Sequence, residues 1–293
     1  MADLLNILVL ASIYGLYASG FTLVFGLFDI LNIAHAAVFA FGAILAMFLV
    51  TSSMPLWLAA PAAIFGATLA GVLIERVAFR PIRYRARTAW GHHTGPLVTS
   101  LGAATVLEGL ETWWFGIDPR HFPEGTFTDF SFQIVGSRIT LIDITSIGLL
   151  LLTFGGVWAL IKYTRWGLEV RAVADAPQTA PLFGIDVERR IIQVFALASA
   201  LGGIAGLIWG LAFNMASPAT ASQVDMRGFA IITLGGMGSV PGALIGALFL
   251  ASAEVLSVLW LPSSWQSMIG YGTLFLMLLI RPQGILGKKA DIG

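Results

Sequence analysis

Apolar stretches follow one another along the whole chain, separated by short polar connections. They occupy Leu4–Phe28, Ile30–Val50, Leu56–Val77, Leu97–Trp114, Leu141–Tyr163, Ile191–Phe213, Met226–Leu234, Pro241–Trp260 and Ser267–Ile280. A helix crosses a hydrocarbon core with roughly 20 apolar residues. Eight of the stretches therefore predict transmembrane helices. Met226–Leu234 is too short to span alone and predicts a half-span. The expected fold is an all-α polytopic membrane protein of about eight transmembrane helices plus a broken or re-entrant segment, read as one transmembrane domain over residues 1–293.

Two places interrupt the apolar pattern in an unusual way. "GGMGSVPGAL", from Gly235 to Leu244, cannot hold a regular helix. Gly236 and Gly238 permit positive φ, and Pro241 restarts a helix where no donor is needed. Irregular backbone in a membrane protein is tolerated only where protein buries it or it lines a water-filled cavity, and broken helices of this kind form substrate paths in transporters. The second interruption, "GLFDILNIAHAAVFAFGA", places Asp29, Asn32 and His35 between apolar stretches. Such groups inside a membrane usually face a cavity or a partner. Candidate path residues are therefore Asn32, His35, Gly235, Gly236, Gly238, Ser239, Pro241 and Gly242. Close helix packing fits the glycines as well, because Gly242 and Gly246 have small-xxx-small spacing. A satisfied helix-end histidine fits His35. Each interruption precedes a small-residue helix, which suggests an internal repeat.

Composition narrows the class. The chain is 57% hydrophobic and 11% charged, against about 25% charged residues in a soluble domain. It has 33 glycines and no cysteine, which removes disulfides, thiolate metal sites and thiol nucleophiles. Net charge is zero, so nothing points to a nucleic-acid partner. The first apolar stretch lacks a basic flank and is expected to stay in the membrane rather than be cleaved.

Charge sets the orientation. Five arginines lie at positions 76, 80, 83, 85 and 87; Lys162, Arg165, Arg171, Arg189 and Arg190 form a second group; Arg281, Lys288 and Lys289 form a third. The positive-inside rule places all three in the cytoplasm, and the loop from Gly116 to Thr140 outside. Counting crossings puts the N-terminus outside, or inside if Leu31–Val50 is re-entrant. The largest internal loop, "RWGLEVRAVADAPQTAPLFGIDVERR", is amphipathic and alanine-rich. Leu168–Asp175 predicts a helix. Asp175 is expected to cap a second short helix with Pro177 in its first turn, and Gly184 to end it. With its alanines outward this element would fit a groove on another protein; an interfacial helix that only seats the bundle fits equally.

Four stretches together resemble the permease subunits of branched-chain amino-acid ABC importers of the Liv type. "SIYGLYASGFTLVFGLFDILNIAHAAVFAFGA" is similar to that family's first two helices, although Ala36 replaces a common glycine and Ile33 a common phenylalanine. "ERVAFRPIRYR" resembles its first cytoplasmic loop. "RWGLEVRAVADAPQTAPLFGIDVER" resembles its coupling loop, with Pro181 unusual there. "GGMGSVPGALIGA" and "IRPQGILGK" resemble its C-terminal part. The resemblance implies a multi-pass permease subunit of the bacterial inner membrane, surrounded by lipid. A second homologous permease subunit would pair with it as a heterodimer, two cytoplasmic ATPases would drive it, and a periplasmic binding protein would deliver solute. Glu169, Arg171, Ala172, Ala174, Asp175, Ala180, Phe183 and Gly184, within a coupling loop at about 164–190, would receive the ATPases.

No Gly-x-x-x-x-Gly-Lys-Ser/Thr loop occurs. With that loop missing, the resemblance implies ATP and magnesium on partner subunits, and no cofactor, metal or catalytic residue is expected in this chain. Branched-chain amino acids are the default solute, with urea, amides and aromatic acids as alternatives. An ion- or proton-coupled secondary transporter is the rival class. It would draw on Glu75, Glu254, or Glu108 and Glu111, which share a helix face.

Overall fold

The computed structural model describes residues 2–28, 31–85, 89–126, 131–134, 137–281 and 284–286; Asp29, Arg87, Lys288 and Lys289 lie outside them. Helices dominate: α1 (Ala2–Phe28), α2 (Ala34–Thr51), α3 (Leu56–Ile74), α4 (Arg80–Arg85), α5 (Ala89–Phe115), α6 (Leu141–Tyr163), α7 (Arg165–Asp175), α8 (Val187–Ala212), α9 (Thr220–Gly235), α10 (Val240–Ser257) and α11 (Gln266–Ile280). A π-helical turn, Glu75–Phe79, joins α3 to α4 without interruption. Among the described residues, six helical stretches are long and apolar enough to cross a membrane, including Asp3–Gly26, Leu56–Tyr84 and Val187–Ala212. The protein is thus an all-α polytopic membrane protein. Outside the helices, β1 (Ser131–Ile134) and β2 (Ser137–Thr140) form an antiparallel hairpin in the outer loop.

Local chemistry explains where helices begin. Thr140 and Asp143 make a reciprocal capping box at α6. Thr164 accepts from the Gly167 amide at α7, and Asp186 from the Arg189 amide at α8. Gly167 packs against the last carbonyls of α6, where a Cβ would clash, so the chain turns sharply from α6 into α7.

At the centre stands α1, with Tyr14, Tyr17 and Phe21 buried against α8, α9 and α10. Beside it, the contact between α2 and α8 is sealed by small residues: a Cβ on Gly42 would stand 2.8 Å from the Gly203 Cα. Such backbone approaches replace the hydrophobic drive that lipid cannot supply.

The α1 helix also relates the N-terminus to the coupling loop. Its C-terminal residues Thr22, Leu23 and Gly26 share a cavity with Arg171, Ala174 and Asp175 of α7. The N-terminus therefore lies at the end opposite the coupling loop. The α2 helix is unbroken for 18 residues and ends with Phe48 against Trp114 and Phe115 near the outer loop. By length and composition it is one of the helices able to cross a membrane.

Three sequence expectations are corrected. The predicted half-span is only the second part of α9, which starts at Thr220. At 1.5 Å per residue, its 16 residues carry the chain from the α8–α9 connection, paired with Arg120 of the outer loop, to the coupling-loop end. Gln223, Asp225 and Arg227 hid its first turns. Asp175 is the last residue of α7 and caps nothing; the short helix is Ala180–Phe183, preceded by Thr179, with Pro181 rather than Pro177 in its first turn. Ala180 faces inward, 3% exposed. Gly184 does end that helix, at φ 77°.

Candidate functional site at the coupling-loop end

Two chain segments converge where α1 ends. The break between α9 and α10 is the first. Gly236 and Gly238 have φ of 104° and 83°, the left-handed region that glycine alone enters cheaply. Ser239 caps α10, accepting from the Gly242 amide at 3.1 Å, and Pro241 sits in the first turn. Gly235 and Gly242 press backbone on backbone, where a Cβ on either would clash. The C-terminal segment closes the end of α9: the Ile285 amide donates to the Leu234 carbonyl at 2.9 Å and the Leu286 amide to Gly235 at 3.0 Å. Most orphan carbonyls that a broken helix would expose are thereby paired. The run lies at the coupling-loop end of the bundle, not at its mid-depth.

The coupling loop is the second segment. It is clamped to its flanking helices. Arg171 Nη1 donates to the Ile161 carbonyl at 2.6 Å, Arg190 pairs with Glu169, and Trp166 Nε1 donates to Gln193 at 2.8 Å. Glu169 and Arg171 thus seat the loop on α6 and α8. Ala172 and Ala174 are half-buried. Leu182 and Phe183 are the protruding apolar residues, each 82% exposed. Leu182 is absent from the sequence candidates, although it precedes Phe183 in the short helix that Gly184 ends.

Between the break and α7 lies a cavity of about 250 Å³. Its walls are Thr22, Leu23 and Gly26 of α1, Ile161 of α6, Arg171, Ala174 and Asp175 of α7, and Gly238 and Val240 of the break. The hydroxyl of Thr22 is buried without a hydrogen-bond partner. Residues singled out separately for the path and for coupling therefore line one space. Thr22 and Gly26 complete it, and neither carries a sequence signal beyond being small in an apolar helix.

The other polar break sits apart from this cavity. Asn32 accepts from the His35 amide at 3.0 Å, and its side-chain oxygen is buried and unpaired. His35 opens α2, with Nε2 3.2 Å from the Tyr17 carbonyl and its ring against Tyr17, Gly20 and Gly202. It seals the α1–α2–α8 junction. Contact between the two breaks runs instead through Gly26 and Gly238.

Two charged clusters accompany the site. Below α3, Arg83 donates to buried Glu75 at 2.6 Å, while Arg80 and Tyr84 reach Glu188 of α8 at 2.9 and 3.1 Å. The π-turn places Glu75 and Arg83 on one side of a continuous helix, so the first basic loop is fastened to the start of α8. Deeper in the bundle, Glu254 of α10 accepts from Tyr14 at 2.7 Å and from Arg227 at 2.9 Å. Glu254, a candidate for ion coupling by sequence, is thus held by a fixed positive partner. Among the described residues no group of three metal-ligating side chains occurs.

A helical membrane bundle, basic at one end, with a docked surface helix at that end and a broken helix beside it, defines a transport subunit. The comparisons make the class specific. A family model described as branched-chain amino acid transport system / permease component matches residues 3–278. The LivH permease proteins of high-affinity branched-chain amino acid transport systems in Salmonella typhimurium and Escherichia coli K12 are each 30% identical over 305 residues, covering 98% of this chain and 96% of theirs. BraD of Pseudomonas aeruginosa is 29% identical over 300 residues with the same coverage. PsaBC from Streptococcus pneumoniae, solved with a Fab, shares the fold at a TM-score of 0.51 and 13% identity, over 97% of this chain and 93% of that one. The chain belongs to the permease-component family of branched-chain amino acid transport systems. It is a multi-pass membrane transport subunit rather than an enzyme.

Proposed function

We propose that residues 1–293 form one permease domain of an ATP-driven importer that carries a branched-chain amino acid into the bacterial cytoplasm through the inner membrane. Family membership implies ATPase and solute-binding partners. The finer assembly is a heterodimer with a second homologous permease, two ATPases on the cytoplasmic face and a periplasmic binding protein. ATP and magnesium belong to the ATPases.

One observation carries the mechanism: the cavity bounded on one side by α7 and on the other by Gly238 and Val240. An ATPase gripping Leu182 and Phe183 moves α7. That motion reaches the break directly, because Ala174 and Gly238 face the same space and Gly26 abuts Gly238. Glycines at positive φ allow the connection to rearrange without a Cβ clash, and differential contacts in two states, rather than ATP as such, shift the equilibrium. Gly235, Gly236, Ser239, Pro241 and Gly242 form the moving element at the inner mouth of the path. Asn32 and His35 stand at the start of α2, apart from this element, with His35 packed at the α1–α2–α8 junction.

Reconstitution tests this. The chain, co-expressed with its genomic partner subunits in proteoliposomes, is expected to take up L-leucine only with ATP on the ATPase side and binding protein outside. Uptake driven by an imposed proton gradient without ATP would overturn it.

A further inference from the structure

The end of α9 is finished by a distant part of the chain. A helix leaves its last carbonyls without partners of its own, and the residues that follow usually supply them. The Gly236 amide does return to the Ile232 carbonyl, at 2.9 Å. The Leu234 and Gly235 carbonyls instead take their donors from Ile285 and Leu286, at 2.9 and 3.0 Å. Those residues follow α11, so the whole of α10 and α11 separates donor from acceptor.

This attachment is made by backbone. Gly284, buried and at φ 76°, presses on Gly236 and on the Thr233 carbonyl, where a Cβ would clash. Its amide closes a turn on the Arg281 carbonyl at 2.9 Å, just past the end of α11. The next two side chains turn outward: Ile285 is 39% and Leu286 46% exposed. Met237 and Gly238, the residues of the break that follow Gly236, are exposed as well. Two amides and one glycine contact therefore hold residues 284–286 at a place that water reaches. Water there can take over a carbonyl that loses its donor.

We propose that residues 284–286 form a releasable strap, which fixes the break in the state of this structure and lets go of Leu234 and Gly235 when the path switches. Gly235 and Gly236 belong to the moving element, and both are strap partners. Either shifts against the strap only by parting these contacts, because glycine packed on backbone has no side chain that can yield. While the strap is paired, it opposes the push that α7 delivers through Gly238. Once it is released, the two glycines at positive φ are free to rearrange. Gly284 and Leu286 are thus positioning residues: they set the threshold that the ATPases and the binding protein must together exceed. A strap that cannot pair leaves the break to rearrange without solute, and ATP hydrolysis loses its link to uptake. The inference rests on the importer reading above.

The complex of this chain with its genomic partner subunits tests it by two routes. In the wild-type complex, amide hydrogen exchange across residues 284–286 should be at least tenfold faster with ATP trapped on the ATPases than without nucleotide. Equal exchange in the two states would overturn the strap and leave a permanent helix cap. The second route uses a pair of variants. Leu286→Pro removes the amide that reaches Gly235, whereas Leu286→Ala keeps it. The proline variant is expected to hydrolyse ATP several-fold faster without binding protein, and to carry several-fold less labelled L-leucine per ATP. The alanine variant should match wild type in both. Identical behaviour of the two variants would assign the position to side-chain packing and overturn the proposal. Should the proline variant fail to assemble, the exchange measurement on wild type decides alone. Exchange and hydrolysis need no transported leucine, so faster exchange in a complex that takes up none would keep the strap and remove the amino-acid reading.

Discussion

Gly26 and Gly238 meet backbone to backbone: a Cβ on Gly26 would stand 2.5 Å from the Gly238 Cα and 2.8 Å from its carbonyl oxygen. The end of α1 is thereby locked against the break that opens α10. Nothing flexible separates the two, so any side chain at either position must move backbone. Gly26→Ala is expected to reduce leucine uptake at least tenfold with the complex still co-purifying. Gly238→Val adds the cost of a positive φ, roughly 1–2 kcal/mol, and should abolish uptake. Near-normal uptake in Gly26→Ala would take this contact off the route from ATPase to path.

Docking and transmission separate on the coupling loop. Leu182 and Phe183 project outward, while Ala174 faces the cavity. The double variant Leu182→Ser, Phe183→Ser should release the ATPases during affinity purification. Ala174→Arg should retain them, yet fill the cavity and stop uptake. ATPases lost from Ala174→Arg and kept by the double variant would reverse the assignment.

The Arg227–Glu254 pair makes a stability prediction. Breaking a buried ion pair from one side costs about 3–5 kcal/mol, whereas replacing both partners by apolar groups is often neutral. Arg227→Leu should lower the unfolding midpoint in detergent clearly. Arg227→Leu with Glu254→Met should recover most of that loss, short of the Tyr14 hydrogen bond. A double variant no more stable than the single would mean that the pair acts through something other than its charge.

Ser239 offers a probe of access. The native chain has no cysteine, so Ser239→Cys gives one thiol in this subunit. Losing the cap on α10 costs about 1 kcal/mol, which should be tolerated. The thiol is expected to react with a small water-soluble reagent added from the cytoplasmic side, at a rate that changes when ATP is trapped on the partners. A constant rate, or none, would make the break a packing element.

The sequence alone determined much of this protein. Runs such as Leu141–Tyr163 coincide with their helices because lipid demands about 20 uninterrupted apolar residues and a backbone paired within itself. Gly184 and Pro241 marked helix ends through φ restrictions that act within one or two residues. The motif resemblance anticipated the family. Tertiary structure decided what depends on partners far apart in the chain. Thr220–Gln223 belong to α9 although their polarity hid them: Thr220 and Ala221 turn into the bundle, while Ser222 and Gln223 are exposed. Glu254 is a structural anion only because Arg227 and Tyr14 meet it, and no local spacing encodes a partner 240 residues away. The glycine run, which read as a break at membrane depth, sits at the coupling-loop end because α1 delivers Gly26 there. Backbone contact between two glycines leaves no pattern in sequence, since the group that specifies it is the absent Cβ.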